Sequence, residues 1–212
     1  MAEIRGRPFL EYLLLQLRRH GCSDVVLCTG HLSDQVRQYF GDGAKWGTSI
    51  RYSEEPEPRG TAGALKLAEP LLIGNRWLML NGDSLFEAPL QRLLDVHDSV
   101  DATATIALVE VPDVHRYGSV LLGSGTEVVQ FEEKGADHHP GLINAGVYVL
   151  DRRVWRDIPS ERAVSLEREV FPQLVGRGLH GVEMQGPFVD IGLPETYQQL
   201  LDEPAPLLRL LS

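Results

Sequence analysis

Four apolar residues without a polar break, Trp77-Leu78-Met79-Leu80, run straight into Asn81-Gly82-Asp83-Ser84. Such a run reads as a strand covered on both faces, which in a water-borne protein places it in the middle of a parallel sheet. Open α/β sheets bind their ligands at the carboxyl ends of these strands. Asp83 therefore stands where the backbone leaves the core, and Gly82 lets a partner approach the main chain. A carboxylate there suits a hard cation such as Mg²⁺, held against phosphate oxygens. A turn Asp satisfying its own loop amides would give the same local pattern, so the motif needs company before it means a site.

The flanking sequence alternates helix and strand. Pro8 opens a helix carrying Phe9, Tyr12, Leu13 and Leu17 at helical spacing, with Gly21 as its stop. Residues 24–29 form a buried strand, and Ser33 caps a short helix ended by Gly41. Residues 49–53 make another strand, which enters a Pro-stiffened loop from Glu54 to Gly60 and then a helix. Beyond the Asp83 strand, Leu90, Leu93, Leu94 and His97 mark a helix and residues 103–109 a strand. The pattern then changes, with paired strands at 117–122 and 127–133 joined by Gly123-Ser124-Gly125. A strand at 143–150, a helix from Ser165 to Leu174, an edge strand at 182–184, a strand end at Asp190 and a helix at 195–201 follow. This order predicts an α/β fold, a three-layer α/β/α sandwich around a Rossmann-like mixed sheet. The leucines after Pro206 are expected to dock on the core or on a partner subunit.

Composition narrows the function. At 212 residues the chain can bury about 70% of its unfolded surface. A net charge of −10 argues against nucleic acid or an anionic membrane as partner. A phosphorylated small molecule is still admitted, since a few local cations and backbone amides can hold one. No apolar segment approaches the ~18 residues of a membrane span, and the first residues lack the apolar core of a signal peptide. Cys22 and Cys28 fit buried thiols in a reducing compartment, and a cytoplasmic location is expected.

Two carboxylates, Asp83 and Asp190, stand at strand ends far apart in sequence. If the sheet brings them together they form a two-Asp metal clamp of the kind used in phosphoryl transfer, although Asp190 also fits a helix cap. Gly60-Thr61-Ala62-Gly63 offers backbone N–H groups and the positive end of a helix; small residues there also allow plain close packing. In Glu132-Glu133-Lys134, the Lys can neutralise a phosphate, or the triplet is a solvated strand end. Asn144 interrupts an apolar strand and needs partners, a sugar hydroxyl or a neighbouring backbone group. Asp137-His138-His139 has no third metal ligand at regular spacing.

Taken in order, Gly6-Arg7-Pro8-Phe9-Leu10-Glu11-Tyr12, Glu55-Pro56 through Gly60-Thr61-Ala62-Gly63-Ala64-Leu65, Asn81-Gly82-Asp83, Phe131 to Lys134, Asn144-Ala145-Gly146-Val147-Tyr148, Ser165-Leu166-Glu167 and Phe188 to Glu195 form a specific set. The chain resembles the sugar-1-phosphate nucleotidyltransferases (NDP-sugar pyrophosphorylases) over essentially its whole length. Its nearest branch looks like the heptose-1-phosphate guanylyltransferases, with the mannose-1-phosphate enzymes close behind. The resemblance implies transfer of a nucleoside monophosphate from a triphosphate, GTP first, to a sugar 1-phosphate with release of pyrophosphate. It implies Mg²⁺ on Asp83 and Asp190, and the nucleotide at Glu55, Gly60, Thr61 and Gly82. The sugar would meet Gly118, Glu133, Asn144 and Glu167, and Lys134 would act on its phosphate. Homo-oligomerisation is left open.

The resemblance also carries a departure. Family members open with an apolar strand and a Gly-rich, Arg-containing loop that holds the triphosphate, and here Met1 falls where that segment should have just ended. Residues 1–212 are thus expected to be one domain lacking its first strand and phosphate loop. Little or no turnover is expected, with two interior strands left unpaired. Two other readings stand beside the enzyme: a non-catalytic nucleotide- or sugar-phosphate-binding protein, and a glycosyltransferase with an Asp-x-Asp motif. Leu85 occupies the position of the second Asp in that motif.

Overall fold

A computed structural model describes residues 1–132 and 138–211. The chain opens with a miniature hairpin, β1 (Glu3–Ile4) and β2 (Arg7–Pro8), whose two-residue turn places Arg5 and Gly6 at φ of 53° and 73°. Positive φ at both central positions is what a tight hairpin turn demands. Pro8 then precedes α1 (Phe9–Arg19) rather than entering it. Next come β3 (Asp24–Thr29), α2 (Ser33–Phe40), β4 (Ser49–Glu54) and α3 (Gly60–Ala68). β5 (Arg76–Leu80), β6 (Ser84–Phe86), α4 (Leu90–Ser99) and β7 (Ala104–Val111) follow. The hairpin β8 (Ser119–Leu122) and β9 (Val128–Glu132) leads to the long β10 (Gly141–Asp151). The chain ends with α5 (Phe171–Leu174), β11 (Leu179–Glu183), β12 (Phe188–Asp190), α6 (Pro194–Asp202) and α7 (Ala205–Leu208).

The main sheet runs β11-β7-β10-β5. β11 lies parallel to β7, while β10 is antiparallel to both β7 and β5, so the sheet is mixed. This corrects the expectation for the Asp83 strand. β5 closes the edge of this ladder against an antiparallel neighbour and is half-buried from Trp77 to Leu80. The central place belongs to β10, whose residues 145–150 are all buried. β3 and β4 form a separate parallel pair.

Alternation along the strands builds two cores. Ile106, Leu108, Tyr148 and Leu150 face one layer, with Ala62 and Leu65 of α3 and Phe171 of α5. Ala107, Val109, Val147 and Val149 face the other, with Leu90 and Leu93 of α4. Helices on both faces of a mixed sheet give the three-layer α/β/α architecture. The apolar tail docks on the chain itself: Leu207 and Leu210 are buried beside Phe9, Tyr12 and Leu13 of α1, while Leu208 and Leu211 stay exposed. Among the described residues no helix is long and apolar enough to cross a membrane.

Three local readings change. Ser33 does not cap α2: Leu32 precedes it at φ 63°, and the Ser33 hydroxyl donates to Glu54 Oε1 at 2.7 Å. The helix expected from Ser165 to Leu174 is a π turn over Leu166–Val170 followed by the four residues of α5. Pro172 has no N–H to continue a regular ladder, so the pitch widens just before it. Cys28 is exposed rather than buried. Its sulfur is nevertheless crowded, and desolvation with the nearby Glu55 carboxylate pushes the thiol up to about 11, so it stays protonated at neutral pH.

Candidate functional site

Asp83 follows β5 at its carboxyl end, and Asp190 closes β12. β12 pairs antiparallel with β6, setting Asp190 opposite Ser84, and Ile191 donates its N–H to the Asp83 carbonyl at 2.8 Å. The two side chains meet over Gly192. A Cβ on Gly192 would stand 3.0 Å from Oδ1 of Asp190 and 3.3 Å from Oδ2 of Asp83. The two oxygens therefore lie no more than about 6.3 Å apart (3.0 plus 3.3 Å), so the carboxylates face one hollow, and closing to the roughly 4 Å that one Mg²⁺ spans takes at most a small side-chain rotation. Local bonds orient each group: Ser84 Oγ donates to Asp83 Oδ1 at 3.1 Å, and Gly192 N–H to Asp190 Oδ1 at 2.6 Å. Two hard oxygen donors at strand ends suit Mg²⁺ by the chemistry of the donor set. Among the described residues no group of three His, Cys, Asp or Glu side chains converges to hold a metal.

The Gly60–Gly63 segment differs from a phosphate cradle. The N–H groups of Ala62 and Gly63 donate to the Val164 carbonyl at 3.0 and 3.2 Å, and Val164 N–H returns to the Arg59 carbonyl at 2.8 Å. Two of the four first-turn amides of α3 are thus spent on the 160s segment. Gly60 sits at φ 71°, and a Cβ there would meet the Val164 oxygen at 2.5 Å. Close packing, the plainer of the two readings, explains the small residues. Glu55 closes the preceding loop by accepting from Arg59 N–H at 2.8 Å. The Thr61 hydroxyl turns away from this loop, donating to Glu167 Oε2 at 2.7 Å and accepting from Leu166 N–H at 2.8 Å.

β10 bulges between Asn144 and Tyr148, with Gly146 at φ 73°. A Cβ on Gly146 would come 3.1 Å from Ser84 Cβ and 3.2 Å from Asn81 Cβ, so only glycine lets the bulge sit against the Asp83 turn. The bulge turns the Asn144 amide back on itself: Oδ1 accepts from Gly146 N–H at 2.9 Å and Nδ2 donates to the Tyr148 hydroxyl at 2.8 Å. Tyr148 is the residue that motif reading passed over. Fully buried, it donates to Glu167 Oε1 at 3.2 Å and also bonds the Asn81 side chain. Burial, reinforced by the Glu167 charge, holds its hydroxyl well above the usual range, so it stays an O–H donor. Its signal was present, because a buried Tyr hydroxyl needs polar partners. Asn81 Oδ1 is buried and has no hydrogen-bond partner among the described residues.

Gly118, at φ 84°, lies just before β8, with its N–H on the Val114 carbonyl. Glu133, Lys134 and Asp137 lie outside the described residues. His138 bonds Asp113 Oδ2 at 2.9 Å and stacks on His115, while His139 faces the Pro140 carbonyl. The structure thus brings together Asp83 with Asp190 and Thr61 with Glu167, and links Asn144 to Glu167 through the Tyr148 hydroxyl.

The defining pattern of the nucleotidyl transferase family matches residues 1–203. A D-glycero-alpha-D-manno-heptose 1-phosphate guanylyltransferase of Aneurinibacillus thermoaerophilus is 33% identical over 204 residues, spanning 96% of this chain and 87% of that protein. A mannose-1-phosphate guanylyltransferase of Mycobacterium tuberculosis is 38% identical over 200 residues, 93% of this chain but 56% of its own length. A UTP–glucose-1-phosphate uridylyltransferase of Synechocystis is 32% identical over 218 residues, covering 95% of this chain and 56% of its own. The solved structure of HddC from Yersinia pseudotuberculosis complexed with GMP-PN superposes with a TM-score of 0.82 at 27% identity, covering 96% of this chain and 88% of that one.

Proposed function

The chain belongs to the nucleotidyl transferase family, and on that premise we propose that it joins a guanylate group from GTP to a heptose- or mannose-type sugar 1-phosphate. An oxygen of the sugar phosphate attacks the α-phosphorus, the bond to the bridging oxygen on the β-phosphate breaks, and pyrophosphate leaves. The convergence of Asp83 and Asp190 over Gly192 carries this reading, because phosphoryl transfer asks a protein chiefly for position and charge balance.

Asp83 and Asp190 would hold Mg²⁺, which when bound offsets the charge of the phosphate oxygens. Gly82 leaves the main chain open beside them. Glu55, Gly60 and Thr61 flank the nucleotide through the loop that Glu55 closes on Arg59. Asn144, Glu167 and Gly118 take the sugar, with Glu133 and Lys134 beside its phosphate. Guanylyl preference draws on the heptose and mannose relatives, whereas the uridylyltransferase relative supports only the wider reaction. A cytoplasmic setting, where nucleoside triphosphates meet free thiols such as Cys22 and Cys28, fits this chemistry.

A second reading, a nucleotide- or sugar-phosphate-binding protein without turnover, draws on one observation: the Ala62 and Gly63 amides of the first turn of α3 are already spent on Val164. Pyrophosphate release separates the two. The assay uses the chain both as it stands and with an apolar strand and a Gly-rich, Arg-containing loop restored ahead of Met1. With GTP, mannose 1-phosphate and Mg²⁺ the restored form should release pyrophosphate faster than with UTP, while the chain as it stands should release little or none. In the restored form, Asp83→Asn should slow release by roughly a hundredfold or more, the scale of losing one charge-stabilising group. Release that ignores this substitution removes Asp83 from the site, and Mg²⁺-dependent GTP binding by the restored form with no release selects the second reading.

A further inference from the structure

Glu167 is pinned from three segments. Its Oε2 accepts from the Thr61 hydroxyl at 2.7 Å and the Ser165 hydroxyl at 2.8 Å, while Oε1 accepts from the Tyr148 hydroxyl at 3.2 Å. Thr61 sits at the start of α3, Tyr148 on β10 and Ser165 just before the π turn. A carboxylate offers about four acceptor positions, two on each oxygen. Those on Oε2 are filled, and Oε1 keeps one open among the described residues. The Thr61 hydroxyl is committed as well, since it also accepts from Leu166 N–H. Asn144 and Asn81 lock the Tyr148 hydroxyl from the opposite side.

We propose that Thr61 and Tyr148 are positioning residues for the sugar half of the site. They fix the Glu167 carboxylate so that its one open position on Oε1 is already aimed when a sugar hydroxyl arrives. This rests on the reading of Glu167 as a sugar contact, and it moves the side chain of Thr61, though not its backbone, from the nucleotide to the sugar. A Glu side chain otherwise free to rotate loses that freedom on binding; here the loss has been taken during folding, which is what preorganisation supplies. The same bonds tie α3 to the π turn, so the loop beside the nucleotide and the carboxylate beside the sugar move as one piece.

The test compares the full chain with Thr61→Val, which keeps the shape and removes the hydroxyl, Thr61→Ser, which keeps the hydroxyl, and Tyr148→Phe. Calorimetric titration with mannose 1-phosphate and, separately, with Mg²⁺-GTP reads the two half-sites. Thr61→Val and Tyr148→Phe should each weaken mannose 1-phosphate about tenfold and change GTP by less than about twofold, the cost of one hydrogen bond to a charged group. Thr61→Ser should bind both as the unmodified chain does. Weakened GTP with unchanged mannose 1-phosphate in Thr61→Val overturns the proposal, as does failure of Thr61→Ser to restore binding. Urea unfolding of Thr61→Val, Glu167→Gln and the double variant needs no ligand. Non-additive losses support the pinning, and additive ones overturn it. If the cycle is non-additive while Glu167→Gln leaves mannose 1-phosphate affinity intact, the sugar reading of Glu167 is what fails.

Discussion

His97 shows at residue scale how burial sets chemistry outside the site. It is 3% exposed on the inner face of α4, with Nδ1 2.9 Å from the hydroxyl of buried Thr105. Burial first, then the Arg76 and Arg153 charges, lowers its pKa to about 4, against the weaker opposing pull of Asp151 and Asp101. The fold therefore favours the neutral ring. Above pH 6.5, where the unfolded histidine is also neutral, its contribution to stability is fully present; it is lost as pH falls from there toward 4. The whole swing is on the order of 3 kcal/mol. Urea midpoints between pH 7 and pH 4 should fall more steeply for the unmodified chain than for His97→Gln, which has no proton to gain. Equal slopes would remove His97 as the acid-sensitive group.

Among the elements, α3 shows what close packing asks of the sequence. Gly60 combines φ of 71° with a carbonyl at 2.5 Å from where a Cβ would stand. Gly60→Ala must take both the left-handed backbone and the clash with Val164, a loss of about 3 kcal/mol. Because Val164 is the seat of α3, the same change should also weaken mannose 1-phosphate through the displaced Glu167, and denaturation together with titration checks both effects. The motif Gly60-Thr61-Ala62-Gly63 was legible as a loop-to-helix junction, but its purpose was not. Nothing within those four residues announces that Val164, a hundred positions later, will claim the amides of Ala62 and Gly63. Asp83 and Asp190 were legible as a pair because strand ends of an α/β sheet gather at one rim. Periodicity gave the helix from Phe9 onward, yet it over-extended the one after Ser165, where Pro172 outweighs an apolar rhythm. The position of β5 was misread because an unbroken apolar run reports cover on two faces and says nothing of which neighbour supplies the ladder.

That ladder decides how the whole molecule breathes. In the antiparallel pairing of β5 with β10, Asn81 N–H bonds the Gly146 carbonyl and Arg152 N–H the Asn75 carbonyl. Alternation from those two anchors turns the amides of Trp77 and Met79 toward β10 and those of Leu78 and Leu80 toward the outer edge. In the β3–β4 pair, Ser49 N–H bonds the Ser23 carbonyl and Glu55 N–H the Thr29 carbonyl. The amides of Val25 and Leu27 therefore face β4, and those of Val26 and Cys28 face away from it. No ladder joins β3 to β5 among the described residues, so each of these strands keeps one row of amides without a strand partner. Amides lacking a ladder bond exchange without waiting for the sheet to open, whereas ladder amides require local or global unfolding. Hydrogen exchange resolved by residue should then show Val26, Cys28, Leu78 and Leu80 exchanging well ahead of Val25, Leu27, Trp77 and Met79. Uniform protection along β3 and β5 would mean that a further strand satisfies both rows in solution. Because Asp83 stands three residues beyond the end of β5, an extended peptide that paired with the outer row of β5 should slow exchange at Leu78 and Leu80, leave Trp77 and Met79 unchanged and steady the turn that carries Asp83.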